Sequence, residues 1–515
     1  MTEPVPGGPA RRRLGFVAVA LAVVVIAAVP LIWGSLGGGD SEEEPKPRRK
    51  ALAGPGGTAP VADFDKDGTQ DVYTTGEVGG GPVSVVYGAR EGDERRRARL
   101  DLDSPGVPGG EGKGVSFGAL TAARDFDGDG YTDLAASVEA GRKKSKLPEG
   151  THGGLVVLWG SPKGLSGGSY VKDVPDSYPS TPLGDAPLVA GDMDGDGHSD
   201  LVIGIGGKRD LVKGPFRRDG STGGTAAVPA PFRDPENGDQ LVTAFAADLN
   251  GDGSDDLISS HATEDDGMGS GKVETSWTAG GPDGFAKPDT GLLPGIQAST
   301  TGDVDKDGYP DLILRRYAKG AAPDSAGSGP VEVFHGSEEG PDPSRHTELD
   351  QDSPGVPGHK EKYGQFASAL EAGDADGDGY ADVAVSTPAG EDAQSEGDDK
   401  GKNGVTVLYG GAKGLTGRGA RVVEEPASSR KEGREHKETT TGTRFGAAFR
   451  MGDVNGDGHA DLTIGAPRTG GFEGALWIFP ARDGTWPQDA ARQYRPRDFG
   501  DGPAPDDETL GAHVR

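Results

Sequence analysis

The chain contains no cysteine. This excludes disulfides, thiolate metal centres, a cysteine nucleophile and an acyl-cysteine lipid anchor, and it leaves the redox compartment unreported. Aromatic residues make up only 6% of the 515 residues and hydrophobic residues 33%. That is poor for a helical globule, but with 91 glycines and 39 prolines it suits many short strands joined by turns. The nine histidines, at 152, 198, 261, 335, 346, 359, 436, 459 and 513, form no H-E-x-x-H or other ligand spacing. Positive charge is also scarce: 53 Lys and Arg stand against 83 Asp and Glu, for a net charge of −30. With no basic stripe interleaved with aromatics, a nucleic-acid partner is excluded. The short run from Glu94 to Arg99 reads as a solvated turn.

What is abundant is one phrase, D-x-[D/N]-x-D-G-x-x-D, written seven times with starts 55 to 79 residues apart. The oxygen-bearing side chains at its positions 1, 3, 5 and 9 are Asp63, Asp65, Asp67 and Asp71; Asp125, Asp127, Asp129 and Asp133; Asp192, Asp194, Asp196 and Asp200; Asp248, Asn250, Asp252 and Asp256; Asp303, Asp305, Asp307 and Asp311; Asp374, Asp376, Asp378 and Asp382; and Asp453, Asn455, Asp457 and Asp461. Carboxylate or amide oxygens at alternate positions ahead of a turn glycine make an oxygen cage for a hard cation. Calcium, which accepts six to eight flexible oxygens, fits an all-protein cage better than magnesium. An EF-hand needs Glu at position 12, where this chain has Thr74, Ala136, Ile203, Ser259, Leu314, Val385 and Ile464. Each phrase runs instead into a short apolar segment such as Asp200-Leu-Val-Ile-Gly-Ile, so the loop feeds a strand. The expectation is up to seven bound Ca²⁺ ions, mainly structural, with no catalytic residue assigned.

A second strand pattern ending in a turn glycine follows each of several loops, as in Gly154-Leu-Val-Val-Leu-Trp-Gly, Pro330-Val-Glu-Val-Phe-His-Gly and Gly404-Val-Thr-Val-Leu-Tyr-Gly. The heptapeptide Asp-Ser-Pro-Gly-Val-Pro-Gly occurs at 103–109 and again at 352–358, which indicates internal duplication. Units of about 60 residues with several short strands match propeller blades. The fold class expected is all-β, a seven-bladed β-propeller of four-stranded blades. Thr509-Leu-Gly-Ala-His513 looks like one more repeat start, which predicts that the tail closes the ring.

Four segments are expected. Residues 1–13 form a basic N-terminus carrying Arg11-Arg-Arg13, and 14–34 form an apolar segment just long enough to span a bilayer. Residues 35–56 read as a flexible linker, and 57–515 as the propeller. Positive charge ahead of the apolar segment places the propeller outside a cell membrane, or free outside the cell if the segment is a cleaved signal. The insertions 206–240, 390–403 and 424–443 are candidate recognition loops, the first of them rich in Lys and Arg. Trp159, Trp277, Trp477 and Tyr409 lie in apolar runs and are expected in the core.

Phe117-Gly118, Phe445-Gly446, the Asp loops that follow them and Gly465-Ala466-Pro467 resemble the FG-GAP repeat family. That family is known from the β-propeller of integrin α-subunits and from many secreted bacterial proteins. The resemblance covers roughly residues 55 to 515. It implies calcium at the loop positions named above, and a cell-surface binding or adhesion module rather than an enzyme. The expected partner is an extracellular protein or glycan, and the expected state a monomer. The alternatives are an extracellular hydrolase of glycosidase or esterase type, or a sugar-binding propeller.

Overall fold

A computed structural model of the protein describes residues 62–515 except 77–80, 91, 109–114, 141–153, 175–187, 206–207, 230–239, 263–272, 318–328, 361–364, 388–402, 429–442, 471–472, 483 and 501–508. The basic N-terminus, the apolar segment and the linker lie outside the described residues. So do most of 390–403 and much of 424–443.

The described residues form seven antiparallel sheets whose strands follow one another in chain order. Blade 2 sets the pattern with Val115–Arg124 innermost, then Asp133–Ala140, Gly154–Trp159 and Ser166–Tyr170 outermost. Six blades have four strands. Blade 4 has three, and an isolated bridge between Trp277 and Asp289 stands where the outer strand would lie. The innermost strands contact their neighbours around the ring, and the architecture is a seven-bladed β-propeller.

A middle strand such as Gly154–Trp159 is apolar on both faces because its blade is sandwiched between two others. In Gly154–Trp159 every residue is buried. Val156 and Leu158 point into a cluster with Val83 and Val85 of blade 1, whereas Leu155 and Val157 point into one with Leu201 and Val212 of blade 3. Successive strand residues face opposite sides, so one six-residue run serves two inter-blade cores. Each such Val or Leu contributes about 1.5–3 kcal/mol by burial. Trp159 and Trp477 are buried, and Trp277 and Tyr409 are half-buried against the clusters, as the sequence predicts.

The ring is closed by the chain's last residues. His513–Val514 is the innermost strand of blade 1, pairing Val514 with Thr74 and His513 with Thr75. Tyr73 and Arg515 exchange two backbone hydrogen bonds of 2.9 Å, and Val514 joins a core shared with Val72, Val86, Leu476 and Ile478.

Two readings are corrected here. The stretch 206–240 is not simply an insertion, since it holds the two outer strands of blade 3, Lys208–Lys213 and Gly224–Ala227. The basic run before Arg99 is not a turn, since Arg97–Leu100 is the outer strand of blade 1. Both escape a hydrophobic-pattern reading because charged residues stand beside the buried ones, Leu211 and Val212 in the third strand of blade 3 and Leu100 in the outer strand of blade 1.

Candidate metal centres

Every Asp phrase lies ahead of the second strand of a blade, and its position-9 Asp stands at or just before the first residue of that strand. Blade 2 shows how the loop is held. Asp125 Oδ1 accepts from the Gly128 N–H and Oδ2 from the Gly130 N–H, both at 2.8 Å. Asp129 Oδ1 accepts from the Tyr131 N–H at 3.0 Å. Gly130 sits at φ 86°, and the position-6 glycine keeps a φ of 84–96° in all seven loops, a left-handed turn that an L side chain strains.

Position 9 has a separate task. Asp133 is fully buried; its Oδ2 accepts from the Phe126 N–H at 3.0 Å and its Oδ1 from the Gly160 N–H at 2.7 Å. The same two bonds recur in the other six blades, where Asp71, Asp200, Asp256, Asp311, Asp382 and Asp461 tie the loop to the exit of the third strand. Burial pushes Asp71, Asp133 and Asp382 up to about 8, and Asp200, Asp256 and Asp461 up to about 7. At position 1, burial pushes Asp192 and Asp248 up to about 6.

The residues of positions 1, 3 and 9 converge. In blades 1 to 3 the sets Asp63, Asp65, Asp71; Asp125, Asp127, Asp133; and Asp192, Asp194, Asp200 each bring one oxygen per residue within 4.8 Å of the others. Asp65 Oδ1 and Asp194 Oδ1 are buried without a hydrogen-bond partner. An orphaned buried carboxylate oxygen beside two other carboxylates fits a hard cation, with positions 1, 3, 5 and 9 as the side chains that would hold it. Asn250 Oδ1 and Asn455 Oδ1 at position 3 accept from the position-5 N–H at 3.1 and 2.9 Å, so those two loops keep the oxygen and lose a charge.

The structure adds cationic side chains that the sequence reading leaves unassigned. Arg96 pairs with Asp65 and lies over the Tyr87 ring. Arg218 lies 3.0 Å from both Asp127 and Asp129 and covers Trp159, and Lys213 lies 2.8 Å from Asp194. In blade 5, His335 and Arg345 engage Asp305, Asp307 and Asp311. Lys213 and His335 immediately precede the glycine that ends the third strand, Arg218 follows Gly214 by four residues, and Arg96 and Arg345 immediately precede the outer strands of their blades. The signal available in sequence is the residue before that glycine, Tyr87, Trp159, Lys213, Ala279, His335 and Tyr409 in blades 1 to 6. Within the 206–240 stretch, Lys213 and Arg218 are thus engaged by loop acids, and Arg209 is held beside His261 and Ser259. His198 and His459 use the backbone at position 7, each N–H donating to the position-5 carboxylate at 2.9 Å.

Seven meander blades, each with an Asp loop ahead of its second strand, define the class: a seven-bladed β-propeller. The FG-GAP repeat pattern matches residues 117–159, 366–408 and 445–479, and the chain carries FG-GAP repeats at these three places. It is 34% identical over 123 residues to integrin alpha-PS5 of Drosophila melanogaster, covering 24% of this chain and 10% of that protein. It is 34% identical over 106 residues to integrin alpha-IIb of Homo sapiens, covering 20% and 8%. It is also 32% identical over 170 residues to phosphatidylinositol-glycan-specific phospholipase D of Bos taurus, covering 30% and 19%. The matched part spans about a tenth of the length of the integrin chains.

Proposed function

We propose that the protein is a calcium-stabilised binding module displayed outside the cell, an integrin-α-like propeller that recognises a protein or glycan through its surface. The observation that carries the calcium reading is the convergence of buried carboxylates at positions 1, 3 and 9 with two of their oxygens unpartnered. Burial makes Asp63, Asp71, Asp133 and Asp200 reluctant to ionise, and a divalent ion reverses that preference by neutralising the clustered carboxylates together. When bound, calcium supplies charge neutralisation and fixes the entry of the second strand. The chain's own residues do the rest: position 1 closes the turn, position 5 orients position 7, and position 9 locks the loop to the third strand.

Binding is favoured over catalysis by the likeness to two integrin α chains and by the repetition of the acidic clusters around the ring. The hydrolase reading draws on the similarity to the phospholipase D over 30% of the chain. Membrane anchoring through residues 14–34 belongs to the same proposal, supported by Arg11 to Arg13 ahead of an uncharged apolar run.

The test is calcium titration of residues 45–515 with thermal melting in calcium and in chelator. At free calcium tenfold above Kd each filled site adds about 1.4 kcal/mol, so multiple binding with a large rise in melting temperature is the expected result. No binding and an unchanged melt would refute the calcium reading.

A further inference from the structure

The seven loops are not equivalent. In blade 5, His335 Nδ1 lies 3.0 Å from Asp311 Oδ1 and 3.3 Å from Asp305 Oδ2, between positions 9 and 3 of the phrase. Arg345 places one guanidinium nitrogen 2.9 Å from Asp305 Oδ2 and another 3.1 Å from Asp307 Oδ2, which adds position 5. We propose that this loop carries its own counter-ions and takes no calcium, the imidazole N–H and the guanidinium occupying the place a divalent ion would fill. The proposal rests on the calcium reading for the other loops and sets their number below seven.

The geometry separates blade 5 from the other loops with a cationic neighbour. Arg96 and Arg218 have side chains about half exposed, at 50% and 54%, and Lys213 is 30% exposed, so each can swing into solvent when an ion enters, as can Arg345 at 43%; the difference lies in the histidine. His335 has a side chain only 8% exposed. Its ring packs against Gly414 of blade 6, where a Cβ would lie 3.1 Å from the imidazole. The next residue, Gly336, donates its N–H at 3.0 Å to the same Asp311 oxygen that His335 engages. The imidazole is therefore boxed in with its Nδ1 facing both carboxylates. Blades 1 and 6 have Tyr87 and Tyr409 at the equivalent position, which leave the cage to oxygen atoms. Among the described residues, the acids of the loops in blades 4, 6 and 7 form no ion pair with Lys or Arg.

The experiment counts calcium ions per chain in the full protein by equilibrium dialysis. Asp307→Ala is expected to leave the count unchanged, whereas Asp378→Ala in blade 6 lowers it by one. The double change His335→Tyr with Arg345→Ala is expected to raise the count by one, with melting in calcium reporting that the variant is folded. A count that falls by one in Asp307→Ala overturns the proposal, and so does a folded double variant with no extra ion. Asp307 is exposed, so Asp307→Ala decides the matter even if the double variant fails to fold. A natural chain that binds no calcium overturns the parent reading instead; the blade 5 proposal then survives only if the double variant binds one ion.

Discussion

At the scale of single residues, the four acids of one phrase divide into different jobs. Position 9 is a backbone clamp whether or not an ion is present, because both its oxygens already accept N–H groups in a dry interior. Asp133→Ala would orphan the Phe126 and Gly160 N–H groups, at about 1–3 kcal/mol each. We expect a loss of about 2–6 kcal/mol in chelator, measured by urea unfolding, against below about 1 kcal/mol for the exposed Asp129→Ala. Equal losses in the two variants would count against the clamp. This division was not legible in the phrase itself, because Gly160 lies 27 residues beyond Asp133 and meets it only after the third strand has paired. His335 was hidden for the same reason: the histidines have no local ligand spacing, and its neighbours Asp305 and Asp311 come from the preceding hairpin. The phrase did carry the acids that converge and the turn glycine, since both are local chemistry.

At the scale of elements, legibility followed burial. Strands covered on both faces, such as Gly154–Trp159 and Gly404–Tyr409, stood out as apolar runs. Strands with charged residues did not, as the third strand Lys208–Lys213 of blade 3 and the outer strand Arg97–Leu100 of blade 1 show. The closing strand was readable from Thr509-Leu-Gly-Ala-His513, and its deletion gives the prediction at this scale. Removing residues 510–515 exposes the core around Val514 and Leu510, both buried, at a cost of about 3–6 kcal/mol from those two side chains. The expected outcome is a lower melting temperature in saturating calcium and faster proteolysis of blade 1; an unchanged melt would show that the ring does not depend on this strand. Blades 1 and 5 share a further device invisible to pattern reading. Lys66 and Lys306 hold position 4 at φ 57° and 60°, where the other loops have glycine, and reach the Asp129 and Asp378 carbonyls of the next loop at 3.1 and 2.9 Å. Together with the repeated heptapeptide, this marks blades 1–2 and 5–6 as two versions of one pair.

At the scale of the whole molecule, the loop positions hold 26 of the 83 acidic residues in a chain of net charge −30. Because burial raises six of the seven position-9 carboxylates to about 7–8, the folded state binds more protons than the unfolded state between about pH 4 and pH 8. Metal-free stability from these groups is therefore fully present at low pH and is lost as pH rises through 7–8. In chelator the melting temperature should fall between pH 5.5 and pH 8.5; in saturating calcium the fall should flatten or reverse, because the ion prefers the ionised carboxylates. Calorimetry at the two pH values checks this, and a flat chelated profile would show that burying these acids costs nothing. The closure of the ring also sets a schedule for synthesis. The Gly511 N–H donates to the Thr74 hydroxyl across 437 residues of sequence, which at about 5–20 residues per second is roughly 20–90 s of translation. Blades 2 to 7 are meanders that can assemble as they emerge, while the strand Val72–Thr75, made early, waits with a bare edge open to mispairing. The first blade written is the last to be completed, so a ribosome that stalls before residue 510 releases a product that is marked by that sticky edge as unfinished.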